Sequence, residues 1–310
     1  MRSLVLTVLV FGCGVEQADD AAPEESQLVS ELTCAAGAWC TETAPIAATT
    51  MLRSVWAADA NNVFAVGDAG TIVRRTNGAW SAMTSGTTQT LKGVWGTSAT
   101  NVWAVGFGGT ALRFDGTTWT PVSVGTTTNL QAVWMSSASD IWIAGPSTIW
   151  RSTNGGTSFT ATGKAGSLFA ISGTGPNDVW VTGENANVYH WANNTWTTVK
   201  PTTSTTTYYA VLALATNNVW VTDFYPGKET LRYNGSTWTA ATTSIFNGGM
   251  SALSASDVWA VGATKVGRWN GSAWTVTAPL GTSSSLWSVA TAPGHAWVVG
   301  SNALIGHYTY

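Results

Sequence analysis

The feature that most constrains this chain is a repeat. Phe64, Trp103, Trp142, Trp180, Trp220, Trp259 and Trp297 stand 38 to 40 residues apart, each inside the same phrase. A copy reads apolar-x-x-V-W, a turn of Ser, Ala and Asn or Asp, then V-W-A-V-G, a short apolar piece ending in a cation, and N/D-G-x-x-W. Four short β-like pieces in a period near 40 are what a propeller blade needs, whereas helical repeats of that period require long runs of helix formers. Copies begin near Met51, Leu91, Leu130, Leu168, Tyr209, Gly249 and Leu286, so the expectation is an all-β propeller of seven four-stranded antiparallel blades.

The seventh copy stops at Tyr310 after its third strand, with no N/D-G-x-x-W piece. That piece stands near the other end, where Gly37-Ala38-Trp39 matches Gly78-Ala79-Trp80. The N-terminal segment is therefore expected to supply the outer strand of the last blade and remove the two sheet edges an open array would expose. The propeller is assigned to residues 33–310.

The first 13 residues read as a lipoprotein-type signal peptide. Arg2 gives a minimal positive region, and Leu4 to Phe11 form an apolar core too short to span a membrane as an ordinary helix. Cys13 follows in a lipobox-like position, the expected lipidated residue, with plain secretion or a mis-assigned start as alternatives. Residues 14–32, acidic and poor in large apolar residues, read as a disordered tether. The expected location is the outer membrane or cell surface, with the periplasm or the medium as alternatives. Beyond Cys13 an even pair remains, Cys34 and Cys40, which in an exported chain suggests a disulfide; two free thiols are the other reading. Fully extended, the intervening residues would hold the sulfurs roughly 20 Å apart, so the bond requires a turn near Gly37.

Only 9% of residues are charged and the net charge is −3, which gives no basic footprint for nucleic acid or an anionic bilayer. Third strands end in a cation in every blade (Arg74, Arg113, Arg151, His190, Arg232, Arg268, His307), opposite Asn62, Asn101, Asp140, Asp178, Asn218, Asp257 and His295. Spread one per blade, these read as repeated structural pairs and not as a converging site. His190, His295 and His307 lack the close spacing of a metal site, so no metal and no cofactor are expected. Asp59, Asp68, Glu184, Asp223 and Glu229 break the pattern and could supply a carboxylate pair for glycoside hydrolysis or lyase chemistry.

Ser152-Thr153-Asn154-Gly155-Gly156-Thr157-Ser158-Phe159 resembles the S-x-D-x-G-x-T-W Asp-box, or BNR repeat, with Asn for Asp, Ser for Thr and Phe for Trp. Shortened relatives occur at Asp115-Gly116-Thr117-Thr118-Trp119 and Asn234-Gly235-Ser236-Thr237-Trp238. The likeness, over residues 51–310, is to sialidase-type and photosystem assembly-factor-like propellers in a bacterial surface lipoprotein. In such proteins the box is a hairpin turn remote from the active site, so the resemblance implies fold more than activity.

A site must break the symmetry. Trp56, Trp95 and Trp134 end the first strand in three consecutive blades, where other copies carry small or aliphatic residues such as Ser172 and Leu212. They are candidates for an aromatic platform, with packing between blades as the other reading. Asp223-Phe224-Tyr225 opens an insertion in blade five and is the second candidate, since loops on a rigid scaffold gather binding residues. The expected function is a monomeric, non-catalytic binding module for a glycan or a surface protein, touching the membrane only through its lipid; the alternatives are a polysaccharide-acting hydrolase or lyase, and an assembly factor or scaffold.

Overall fold

The structure, a computed structural model, describes residues 34–310 except 147, 165, 202–205, 224–229, 242–246 and 279. The proposed signal peptide, Cys13, the whole of the tether, Phe224, Tyr225 and Glu229 lie outside the described residues.

Seven four-stranded antiparallel sheets make up the fold, six of them ordered from inner to outer strand along the chain and the seventh taking its outer strand from the N-terminal segment. Blade 2 is typical, with strands Leu91–Ser98, Asn101–Gly106, Ala111–Phe114 and Trp119–Pro121. The second strands, such as Asn62–Gly67 and Asn218–Asp223, are buried along nearly their whole length because a neighbouring blade covers each face. Hence their sequences run apolar continuously instead of alternating.

Between blades the wedge is filled by aromatic pairs that repeat around the ring. The second-strand aromatic of one blade meets the outer-strand aromatic of the next edge-on: Phe64 with Trp119, Trp103 with Phe159, Trp142 with Trp196, Trp220 with Trp274, at centroid separations of 5.6 to 6.2 Å. Such pairs add roughly 0.5–1.5 kcal/mol each beyond the area they bury.

Ring closure uses the same device. Trp39–Glu42 pairs antiparallel with Ile305–Thr309, Cys40 opposite His307, and so becomes the outer strand of blade 7. Trp39 then meets Trp259 of blade 6 edge-on at 5.9 Å, occupying the outer-strand position of the repeat. Glu42, at the end of this strand, accepts from Arg75 Nη2 at 3.0 Å and Trp80 Nε1 at 2.6 Å in blade 1, and lies 2.9 Å from His307 Nδ1 in blade 7. The carboxylate thus ties the last blade to the first.

The repeated cation opposite the turn is a structural pair in most blades. Arg74 donates to Asn62, Arg151 to Asp140, Arg232 to Asn218 and Arg268 to Asp257, at 2.7 to 2.8 Å. Where the turn residue is Asp it also accepts from the indole two residues on, as Asp140, Asp178 and Asp257 do from Trp142, Trp180 and Trp259. In blade 2 the turn residue is Asn101, and both Asn101 Oδ1 and Trp103 Nε1 are buried without a partner. Asn101→Asp should therefore stabilise the protein by about 1 kcal/mol, the usual net value of one buried hydrogen bond. A urea midpoint that stays put or falls would show that the unpaired indole is not the source of the cost.

Candidate functional site

The inner strands line a central channel, and a bulge at the start of most of them decides what faces it. Register slips between Leu52 and Ser54, Leu91 and Gly93, Leu168 and Ala170, Tyr208 and Ala210, and Leu286 and Ser288. The residue skipped each time has no partner in the ladder and is re-aimed. Those residues are Arg53, Lys92, Phe169, Tyr209 and Trp287, all half-buried, all on the channel wall. Gln131 stands at the matching place in blade 3, and in blade 6 the place falls on Gly248, which has no side chain to offer.

Around the channel mouth the order is thus Arg53, Lys92, Gln131, Phe169, Tyr209, Gly248, Trp287, a polar arc facing an aromatic one. Phe169 and Tyr209 stack at 6.3 Å and 26°. Tyr209 and Trp287 stand 6.5 Å apart across the place where blade 6 contributes only glycine. Beneath lies a cavity of about 280 Å³, near the lower end of ligand pockets at roughly 300–1,000 Å³. It admits the end of a chain or one small group, not a folded surface.

Charge at the mouth is asymmetric. Arg53 is held by Asp68, Nε to Oδ1 at 2.5 Å and Nη2 to Oδ2 at 3.2 Å, and Thr90 Oγ1 donates to the same carboxylate. Lys92 has no hydrogen bond or ion pair among the described residues. Burial, then the adjacent Arg53 charge, lower its pKa from 10.5 to about 8, against a smaller opposing pull from Asp68. Two cations and one carboxylate leave a net single positive charge there near neutral pH. Burial also raises the Tyr209 phenol, with Arg53 opposing, so that ring stays neutral.

The residues singled out in the sequence are placed differently. Trp56 and Trp134 are 9% and 4% exposed and sit in the clusters between blades, their ring edges against Gly96 and Gly173 of the following blades. Trp95 is half-buried, 6.5 Å from Trp56, and touches the packing of three interfaces. Edges of Trp56 and Trp95 reach the channel wall, about 10 Å below the mouth at the rise of an extended strand. Asp223 is 3% exposed and accepts from Thr206 Oγ1. Asp59 is taken up by the turn at Asn61 and Asn62, and Asp68 by Arg53; the described pattern-breaking acids do not line the channel.

Three further findings correct or extend the sequence reading. His295 and His307, set aside there for lack of close spacing, face each other in the last hairpin with Nδ1 and Nε2 3.0 Å apart. Cys34 and Cys40 are bonded to each other, Cα atoms 5.5 Å apart, through a turn with Gly37 at φ +78°, and Cys34 Sγ lies 3.5 Å from His307 Nδ1. The Asn154 turn that resembles an Asp-box is a hairpin device here: Asn154 Oδ1 accepts from Ser152 Oγ and from the Ser158 amide, while Phe159 packs on Trp103.

No protein-family model matches the chain, and no curated protein matches it. Solved structures do. YCF48 bound to D1 peptide aligns with a TM-score of 0.72 at 14% identity, over 88% of this chain and 97% of that one. Virginiamycin B lyase from Staphylococcus aureus, a catalytically inactive variant with quinupristin, aligns at 0.76 and 15%, over 88% and 99%. The WD40 propeller domain of Doa1 aligns at 0.70 and 16%, over 83% and 92%. At such identities the likeness is one of fold.

Proposed function

We propose that this chain is an exported, lipid-anchored binding module that captures a partner protein's peptide segment at the channel mouth, an acidic side chain next to an apolar or aromatic one. The observation that carries the reading is the ring of bulge residues. Structural repetition would make its seven positions alike, yet they divide into Arg53, Lys92 and Gln131 on one arc and Phe169, Tyr209 and Trp287 on the other. A half-buried ammonium across the channel from an aromatic wall, with no bond to another blade among the described residues, suits a carboxylate attached to something flat or apolar. YCF48, similar in fold, has been captured with a peptide, which supports a peptide as the class of ligand.

The test is calorimetric titration with acidic-aromatic peptides and, beside them, acidic oligosaccharides. Lys92→Met and Trp287→Ala should each weaken peptide binding by about 2 kcal/mol, the size of a hot spot, without moving the melting temperature much. Affinity should fall as pH rises through about 8, where free Lys92 loses its charge, by up to tenfold per pH unit. Lys92→Met should flatten that profile. Binding of saccharides alone, still sensitive to both variants, would reassign the ligand class; peptide binding indifferent to both would remove the site.

A further inference from the structure

The chain has three histidines and three cysteines, and four of these six meet at the ring closure. Cys34 and Cys40 adjoin His307, with one ligand atom from each within 4.8 Å of the others, and His295 stands behind His307. Packing does not ask for this. The other blades place Asx and a cation at the two positions that blade 7 fills with His295 and His307, and those pairs serve the fold adequately.

We propose that, once the Cys34–Cys40 bond is reduced, this cluster is a zinc site, with both thiolates and His307 Nδ1 as ligands and a water from solvent completing four. A tetrahedral ion with Zn–S of about 2.3 Å and Zn–N of about 2.0 Å holds those two atoms roughly 3.5 Å apart. Cys34 Sγ and His307 Nδ1 are 3.5 Å apart. Glu42, held by Arg75 and Trp80 with Oε1 2.9 Å from the same nitrogen, adjoins the site as a fixed counter-charge.

The outer shell is in place as well. A ligating histidine ordinarily donates its other ring N–H to an acceptor that fixes its tautomer, and His307 Nε2 faces His295 Nδ1 at 3.0 Å. Cys40 is fixed on the closing strand opposite His307, whereas Cys34 sits in the irregular segment before it and can move to open the angle between the sulfurs. Charge closes too: two thiolates and one carboxylate against Zn²⁺ and Arg75 sum to zero, so a buried cluster carries no uncompensated charge.

The redox step balances with an external dithiol. It passes two electrons and two protons to the Cys34–Cys40 bond and leaves as its own cyclic disulfide; the two thiols then release their protons to solvent as the metal takes the sulfurs. Oxidised, the disulfide only closes the turn that leads into the closing strand, whereas the metal would also tie that strand to His307 on its partner strand, so reduction with metal bound would add a latch across the ring closure.

The experiment uses the full chain carrying Cys13→Ser, so that only two thiols count. It is reduced with a dithiol, freed of it under argon and titrated with Co²⁺. One equivalent should bind with thiolate charge-transfer bands in the near ultraviolet and ligand-field bands in the visible, and Zn²⁺ should displace it. The oxidised chain should bind none, Cys34→Ser should lose the charge-transfer bands, and His295→Asn should weaken affinity about 10–100-fold while keeping the spectrum. A reduced, folded chain without these bands, or a spectrum unchanged in His307→Gln, overturns the proposal. Should reduction melt the protein, Zn²⁺ must restore its far-ultraviolet circular dichroism, and failure to do so overturns it equally.

Discussion

Glu42→Ala should cost about 3–5 kcal/mol of unfolding free energy, as removing one partner from a buried ionic cluster does. The carboxylate is 8% exposed and receives Arg75 through Nε and Nη2, Trp80 Nε1 and His307, so its loss strands a guanidinium that is itself only 11% exposed. The pKa direction agrees: burial alone would raise it, but the hydrogen bonds from His307 and Arg75, with the Arg75 charge, outweigh that and hold it below 4.5. A carboxyl lowered on folding stabilises above its unfolded value, so this contribution is present above pH 4.5 and is lost as acid protonates the group. Because Glu42 bridges blades 7 and 1, the damage should concentrate there, with faster hydrogen exchange in Trp39–Glu42 and Ile305–Thr309. A loss under 1 kcal/mol in urea melts would mean that the strand pairing and Trp39 hold the ring without the ion cluster.

The architecture was legible because its causes are local and repeated. A Trp every 38 to 40 residues and a missing outer strand at one end are visible in one dimension, and the matching Gly37-Ala38-Trp39 supplies the closing piece. The channel mouth was not legible, for a physical reason. Alternation assigns faces two residues at a time, but the bulge at Arg53, Lys92, Phe169, Tyr209 and Trp287 breaks that parity and turns one residue per strand inward. Trp56, Trp95 and Trp134 stand three residues further along, and the edges of the first two also reach the channel wall. Aligning on the residue after Leu52, Leu91, Leu130, Leu168, Tyr208 and Leu286 would have exposed a column running Arg, Lys, Gln, Phe, Tyr, Trp. The histidine pair was missed because His295 and His307 are 12 apart in sequence, and a hairpin register is needed to set them 3.0 Å apart.

Trp134→Ala should cost packing, and its contrast with Trp287→Ala separates a core tryptophan from a ligand-facing one. Trp134 is 4% exposed and packs with Trp142 and Leu168, its ring pressed on Gly173, where even a methyl group would approach it to 2.8 Å. Truncation leaves a cavity the size of an indole in a wedge whose walls are rigid strands, so roughly 3–5 kcal/mol should be lost, the usual range for a buried aromatic. Channel-mouth affinity should survive, because Trp134 does not line that pocket. Trp287 is half-buried, and its indole donates to Ser301 Oγ at 3.3 Å. Its removal should cost little stability and most of the binding. The reverse outcome, a stable Trp134→Ala protein that no longer binds, would return the ligand to the row of Trp56, Trp95 and Trp134. It would also leave Arg53, Lys92 and Tyr209 as an unusual but structural lining of the channel.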